Sequence, residues 1–348
     1  MTEKRDGSET PQADAGSGHH STTVTVGVAL AANLVIAVAK AVGGVFSGSP
    51  ALLSEAAHSV ADSINEVFLL ASIRRSRREP DRHHPFGYGK ERFFWSLLAA
   101  VGIFVTGGCF SFYQGVHAWR EPDAQTSTGF VVALAILGVS LLAEGGSLAR
   151  ALLQARAVQR KSGSGSLRDA TGDPALRTVL AEDGTAVIGV LLAAAGLVLH
   201  WVTGDGRWEA GASIAIGLLL VFVAYHLGRQ AEHELIGQAV DPALQGELRA
   251  FLQEQPEIDT VTELLTMRLG PDSTLLAVRM DLHGGIDSEK VEEICMRIRR
   301  ALRDRWPALE QVFLDITDAS PQERQHARGE LRRLRGTPLG GARGPGTS

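Results

Sequence analysis

His58 and Asp62 stand four residues apart in ALLSEAAHSVADSINEVFLLASI, a stretch over residues 51–73 that is long and apolar enough to enter a membrane. One helical turn separates them, so an imidazole and a carboxylate can converge on one ion. Glu55, Asn65 and Glu66 share the segment. At about 100° per residue all five polar groups fall within roughly a third of the circumference, on one face. An ionisable side chain costs at least ~2.5 kcal/mol at mid-bilayer unless it finds a partner, water or a metal, so such a stripe marks a solute pathway. Imidazole plus carboxylate suits Zn²⁺ and, with more oxygen ligands, Fe²⁺, Mn²⁺ or Co²⁺. Cys109 and Cys295 are the only cysteines, too few for a thiolate site or a disulfide framework. Any metal here is held by nitrogen and oxygen.

Two ligands rarely suffice. Glu182 and Asp183, in VLAEDGTAVIGVLL, begin another apolar helix and are candidates for the rest, although acids in a first turn also serve simply to complement the helix dipole. Lys40 and Glu144 complete the ionisable groups at depth. Lys40 is expected to pair with an acid such as Glu66; Glu144 reads as a proton group or a polar helix–helix contact. His58 must be free of its Nε2 or Nδ1 proton to bind a metal, so binding releases protons, and a site of this kind can exchange one divalent cation for protons.

The elements that must position these groups are membrane helices. Six apolar segments, at about 23–46, 49–73, 93–118, 129–153, 178–201 and 208–230, are each near the 20 residues a span requires. The mean hydropathy of only +0.05 reflects dilution by polar tails and a soluble C-terminal third, and the net charge of −5 decides little. Arg74, Arg75, Arg77, Arg78, Arg82, Lys90 and Arg92 crowd the second connection, and Arg156, Arg160, Lys161 and Arg168 the fourth. The other connections carry at most one arginine, so the positive-inside rule places both termini in the cytoplasm. Trp119, Trp201 and Trp208 fall at span ends, where interfacial aromatics belong.

Residues 1–21 read as a disordered polar tail, in which His19 and His20 are solvated and not a metal site. After the transport domain, residues 22–234, the pattern changes to a cytoplasmic α+β domain over 235–320. A helix runs from Pro242, capped by Asp241, to about Gln253; TELLTMRL and TLLAVRMDL are strands joined by GPDS; a helix from Asp287 to Arg305 and a third strand, QVFLDIT, follow. The expected sheet is antiparallel. Residues 321–348, rich in arginine, glycine and proline, read as a basic, mostly disordered tail.

The run SGSPALLSEAAHSVADSINE resembles the first-to-second helix motif of the cation diffusion facilitator family of divalent-metal transporters, and HPFGYGKER resembles its second-to-third loop signature. The similarity covers roughly residues 22–318. The resemblance implies a homodimer that exports Zn²⁺ or a related cation in exchange for protons by alternating access. It also implies a metallochaperone-like C-terminal domain that pairs the protomers, with no permanently bound cofactor, no nucleic acid and no enzymatic activity.

Carried over by position, the resemblance makes His58, Asp62 and Asp183 the transport ligands. The histidine the family often has four residues before that aspartate falls here on Val179, and Glu182 is the substitute, as in the branch carrying Glu-Asp. Glu55 and Glu144 remain open as fourth ligands. One imidazole with up to three carboxylates makes a harder site, which brings Mn²⁺, Fe²⁺ and Co²⁺ beside Zn²⁺, the first choice. Asp81 and His84 occupy a second family metal position, but Tyr88 stands where a third ligand is expected. Bridging-histidine positions read Thr262, Arg279 and Asp315, while Asp281 and His283 are only a weak metal cue on a strand. The readings from other classes are an intramembrane hydrolase, which lacks a His-Glu-x-x-His element, and a passive cation channel. A membrane-bound metal sensor is the third.

Overall fold

The computed structural model describes residues 17–121, 126–162 and 174–336, some of them near helix ends by their backbone alone. The side chains of His19, His20, Arg160, Lys161, Val179 and the residues beyond 329 lie outside that description, as does Arg168. The chain divides into two units, residues 1–71 with 95–229 and residues 72–94 with 230–348.

The first unit is helical. Helices α1 (Ser17–Ser47) and α2 (Pro50–Ser76) meet at the SGSP turn. Gly48 takes φ +67°, a left-handed conformation that costs glycine little and ends α1. Ser49 Oγ then accepts from the Leu52 amide, and Pro50, which has no N–H to satisfy, opens α2. Helix α3 (Glu91–Gly102), a π-helical segment (Ile103–Cys109) and α4 (Phe110–Arg120) run on as one rod. The widened π turn sets Gly107 against Leu220 and Gly108 against Val221. Helices α5 (Ser127–Ser162), α6 (Pro174–Thr203) and α7 (Arg207–Ile236) follow.

Among the described residues four stretches are long and apolar enough to cross a membrane: Glu91–Arg120, Ser127–Ala157, Leu180–Thr203 and Arg207–Ile236. Within the described residues α1 offers only the shorter apolar stretch Asn33–Ser47, and α2 carries Glu55, Asp62 and Glu66 along its length. Leu52, Ala61, Ile103, Leu137, Val190, Leu197, Ile216 and Leu220 form the interior of the unit. Its outer surface is apolar too, with Phe46 83%, Leu142 79% and Phe222 67% exposed, which fits a lipid-facing wall better than a wet one.

The second unit is α+β. Helix α8 (Pro242–Gln253) begins at the Asp241 cap, whose side chain accepts from the Ala243 amide. Strands β1 (Ile258–Arg268) and β2 (Thr274–Leu282) pair antiparallel, and β3 (Leu309–Ile316) adds on the far side of β2, giving the order β1-β2-β3. The β2–β3 pair is parallel, which corrects the expected all-antiparallel sheet. The cause is α9 (Ser288–Arg305), an 18-residue crossover that returns the chain to the starting edge before β3 begins. Ile294, Ile298 and Leu302 repeat every four residues along α9 and are buried with Leu276, Met280, Leu248 and Leu252.

Residues 321–336, expected as tail, form helix α10 (Pro321–Gly336). Ser320 and Glu323 cap it reciprocally: Glu323 accepts from the Ser320 amide at 2.8 Å, and Ser320 Oγ from the Glu323 amide at 3.3 Å. Arg324 then pairs with buried Asp281 at 2.6 Å, and Ala327 is fully buried.

The loop between α2 and α3 belongs to this second unit. Phe86 meets Phe313 edge-on at 6.5 Å, and Gly89 lies on the β1–β2 turn, where an added Cβ would sit 2.5 Å from the Leu269 carbonyl oxygen. That neighbour is backbone and cannot swing away. Gly89→Ala is therefore expected to destabilise the loop's seat by about 1–3 kcal/mol, the usual cost of overpacking. Faster amide exchange across residues 84–92 would register it, and wild-type protection would contradict it.

Candidate metal centre

The polar stripe of α2 survives folding and divides between two neighbours. His58 is buried, and its Nε2 lies 3.2 Å from Asp62 Oδ2, the one-turn contact that the spacing required. The other ring nitrogen, Nδ1, is buried with no hydrogen-bond partner among the described residues. Asp62 is more open, its side chain 39% exposed, and lies within electrostatic reach of both Glu182 and Asp183 on α6. Asn65 Nδ2 donates to Glu182 Oε1 at 3.1 Å, joining the two helices. Asp183 is hydrogen-bonded by Ser147 of α5, and its buried Oδ2 has no hydrogen-bond partner among the described residues. Asp62, Glu182 and Asp183 thus lie along one α2–α6 seam, and His58 joins it through Asp62. Among the described residues no three His, Cys, Asp or Glu side chains converge closely enough to hold a metal ion in this arrangement.

Glu55 and Glu144 are taken up by a lysine of α1. Lys40 Nζ, on α1 and completely buried, donates to Glu55 Oε2 at 3.0 Å and to Glu144 Oε1 at 2.9 Å. Lys40 was expected to pair with an acid such as Glu66; it does pair with acids, and they are Glu55 and Glu144. Glu66 instead accepts from Asn33 Nδ2 at 2.7 Å. Residues 33 and 40 are two turns apart on α1, and the shorter amide reaches Glu66 while the lysine serves the deeper acid. Gly189 on α6 gives Glu55 its space, since a Cβ there would collide with Glu55 Oε1.

A further polar group was missed in the sequence. Glu209, at the start of α7, is 1% exposed; it accepts from Ser49 Oγ, and His200 Nδ1 lies 2.6 Å from its other oxygen. The α1–α2 and α6–α7 turns are thereby tied together. Glu209 sits two residues inside an apolar helix next to Trp208, and its only sequence signal was an acid in a first turn.

The loop positions suspected of a second metal are occupied by hydrogen bonds. Asp81 accepts from the amides of His83 and His84 and from Tyr88 Oη at 2.6 Å. Those donors, the Tyr88 hydroxyl foremost, hold the exposed Asp81 carboxyl down at about 2. A lowered folded value means that the turn's contribution is complete above the ordinary carboxylate range, about 4, and is lost as pH falls through about 2. The Asp81 side-chain carboxyl carbon resonance is accordingly expected to hold position down to about pH 4 and to move below it. A midpoint at the ordinary carboxylate value of about 4 would contradict this.

In the second unit, Arg279 bridges Glu263 at 3.0 Å and Asp315 at 2.8 Å across the three strands, an exposed ladder worth little to stability. His283 lies beyond the end of β2, 4.0 Å from Asp259, while Asp281 is engaged by Arg324 and the Ala319 amide. The placement of Asp281 and His283 on one strand, the weak metal cue, is therefore corrected: the strand ends at Leu282.

Residues 26–236, which take in α2 to α7 and all but the start of α1, match the cation efflux transmembrane domain. The chain belongs to the cation diffusion facilitator family. This facilitator is 33% identical over 264 residues to metal tolerance protein C4 of Arabidopsis thaliana, covering 75% of this chain and 56% of that protein. It is 30% identical over 261 residues to the human mitochondrial proton-coupled zinc antiporter SLC30A9, covering 74% of this chain and 46% of that one. The facilitator spans about half the length of these relatives. The manganese efflux system protein MneP of Bacillus subtilis is 25% identical over 290 residues, 83% of this chain and 93% of MneP. As a family member the chain is a multi-pass membrane protein carrying a cation efflux transmembrane domain.

Proposed function

We propose that the facilitator exports a divalent cation, Zn²⁺ first, in exchange for protons by alternating access. In this reading six helices span a cell membrane, both termini face the cytoplasm, and the 235–320 domain pairs two protomers. The observation that carries it is His58, held at 3.2 Å by Asp62 and joined through it to the seam that bears Glu182 and Asp183. The proton between His58 Nε2 and Asp62 must leave before a metal can take that nitrogen, so cation entry and proton loss compete for one atom. Asp183 supports the reading with its buried Oδ2, which has no hydrogen-bond partner among the described residues. Glu182 completes the proposed ligand set, and its bond from Asn65 fixes the carboxylate beside α2.

Manganese is the second reading. It is favoured by a donor set of one imidazole against three carboxylates, which is hard for zinc, and by the likeness to MneP over nearly that protein's whole length. Iron and cobalt stand with it. Uptake of Zn²⁺, Mn²⁺, Fe²⁺ and Co²⁺ into proteoliposomes by wild type and Val179→His tests both readings. Saturable uptake, with the added imidazole moving preference toward Zn²⁺, supports the seam as the site. Uptake that stays linear with metal concentration would point to a passive channel instead.

A further inference from the structure

We propose that Lys40 is an internal counter-cation that withholds Glu55 from the transported metal and so keeps the donor set to His58, Asp62, Asp183 and Glu182. The proposal rests on the reading of that seam as the transport site.

Glu55 is otherwise well placed to be a ligand. It lies one turn before His58 on the same face of α2, the position from which a third side chain could join the His58–Asp62 pair. Its carboxylate is completely buried against α6, the helix that carries Asp183, in the space that Gly189 leaves open. One oxygen, Oε1, has no hydrogen-bond partner among the described residues. A buried carboxylate oxygen without a donor, beside a cation pathway, is poised to coordinate. The other oxygen is held by Lys40 at 3.0 Å.

The same ammonium holds Glu144 of α5 at 2.9 Å, and Glu144 Oε2 is also buried without a partner. One lysine thus serves two acids from different helices, and both keep a lone oxygen. Lysine cannot chelate a divalent cation, and its charge repels one. It therefore neutralises Glu55 where a histidine or water would leave the carboxylate available. With Glu55 withheld, the site keeps an imidazole share that still suits Zn²⁺. With Glu55 released, a fourth carboxylate would favour the harder Mn²⁺.

Two double variants with equal charge separate release of Glu55 from a general change in field. Lys40→Gln/Glu144→Gln removes the cation and the distant acid, and Lys40→Gln/Glu55→Gln removes the cation and the near acid. Each leaves the cluster with one carboxylate, as the wild-type net charge requires. The readout is competition between Zn²⁺ and Mn²⁺ for the full-length protein in nanodiscs. The expected result is about a tenfold rise in Mn²⁺ affinity relative to Zn²⁺ for Lys40→Gln/Glu144→Gln, the scale on which neighbours of a metal site act, and none for Lys40→Gln/Glu55→Gln. An equal shift in both, or in neither, overturns the proposal. Glu55→Gln alone, which leaves Lys40 paired with Glu144, is a variant that should fold if the doubles do not. Its Zn²⁺ binding is expected to be unchanged, and a loss as large as that of Asp62→Ala overturns the withholding role. If Asp62→Ala itself binds Zn²⁺ like wild type, the seam is not the site. Loss of binding there, with no shift in Lys40→Gln/Glu144→Gln, overturns the role of Lys40 alone.

Discussion

Asp62→Ala is expected to lower saturable Zn²⁺ flux by more than about a hundredfold while leaving the fold intact. Removal of an outer neighbour of a metal site already costs ~10–100-fold in affinity, and a direct ligand carries more than that. Asp62 is also the one acid common to the electrostatic surroundings of Glu182 and Asp183, so in the proposed site its loss would remove the charge shared between the two helices. The structural cost is small because its side chain is 39% exposed and its contact is with His58. Wild-type elution and helicity with flux lost would fit the proposed role. His58→Ala is a poorer test, since it empties a buried position as well as removing a ligand.

Lys40→Met should instead be felt in stability, by about 3–5 kcal/mol, the range for removing one partner of a buried ion pair. Lys40 is fully buried, and without it Glu55 and Glu144 would face each other uncompensated inside the helical unit. Thermal unfolding in nanodiscs would measure the loss. Recovery of part of it by adding Glu55→Gln would identify the orphaned charge as the cause, whereas a wild-type melting temperature for Lys40→Met would mean that the triad contributes no stability. This cost is also why the binding experiments with Lys40 call for charge-matched doubles.

The two experiments bear on what a sequence can and cannot convey about a membrane site. The face of α2 was legible because five polar residues obey one helical period, and the His58–Asp62 contact follows from a four-residue spacing alone. Partners on other helices were not legible. Nothing in the period of α1 distinguishes Glu55 from Glu66 as the acid for Lys40; the choice depends on how α1 sits against α2 and α5, and Asn33 takes Glu66 first. Glu209 was passed over for the same reason, since its partners Ser49 and His200 come from two different turns.

Some of the remainder was present in the sequence and outweighed. SPQE at residues 320–323 is a capping box, but the arginine, glycine and proline around it read as a tail; the helix it starts is held by Arg324 on Asp281, which no local pattern reveals. The helix between β2 and β3 was expected from Asp287 to Arg305, and a crossover of that length already argues for a parallel pair. Strand direction was assigned from the β1–β2 hairpin and carried too far.

The central claim is exchange of metal for protons at the His58–Asp62 seam, and the most direct measurement follows both ions in one preparation. Purified protein is reconstituted into vesicles holding a pH indicator and a zinc indicator, and Zn²⁺ is added outside. Proton-coupled antiport predicts that internal zinc and internal pH rise together, as protons leave against the entering metal, and that both responses vanish with Asp62→Ala. Zinc entry with no change in internal pH would contradict it.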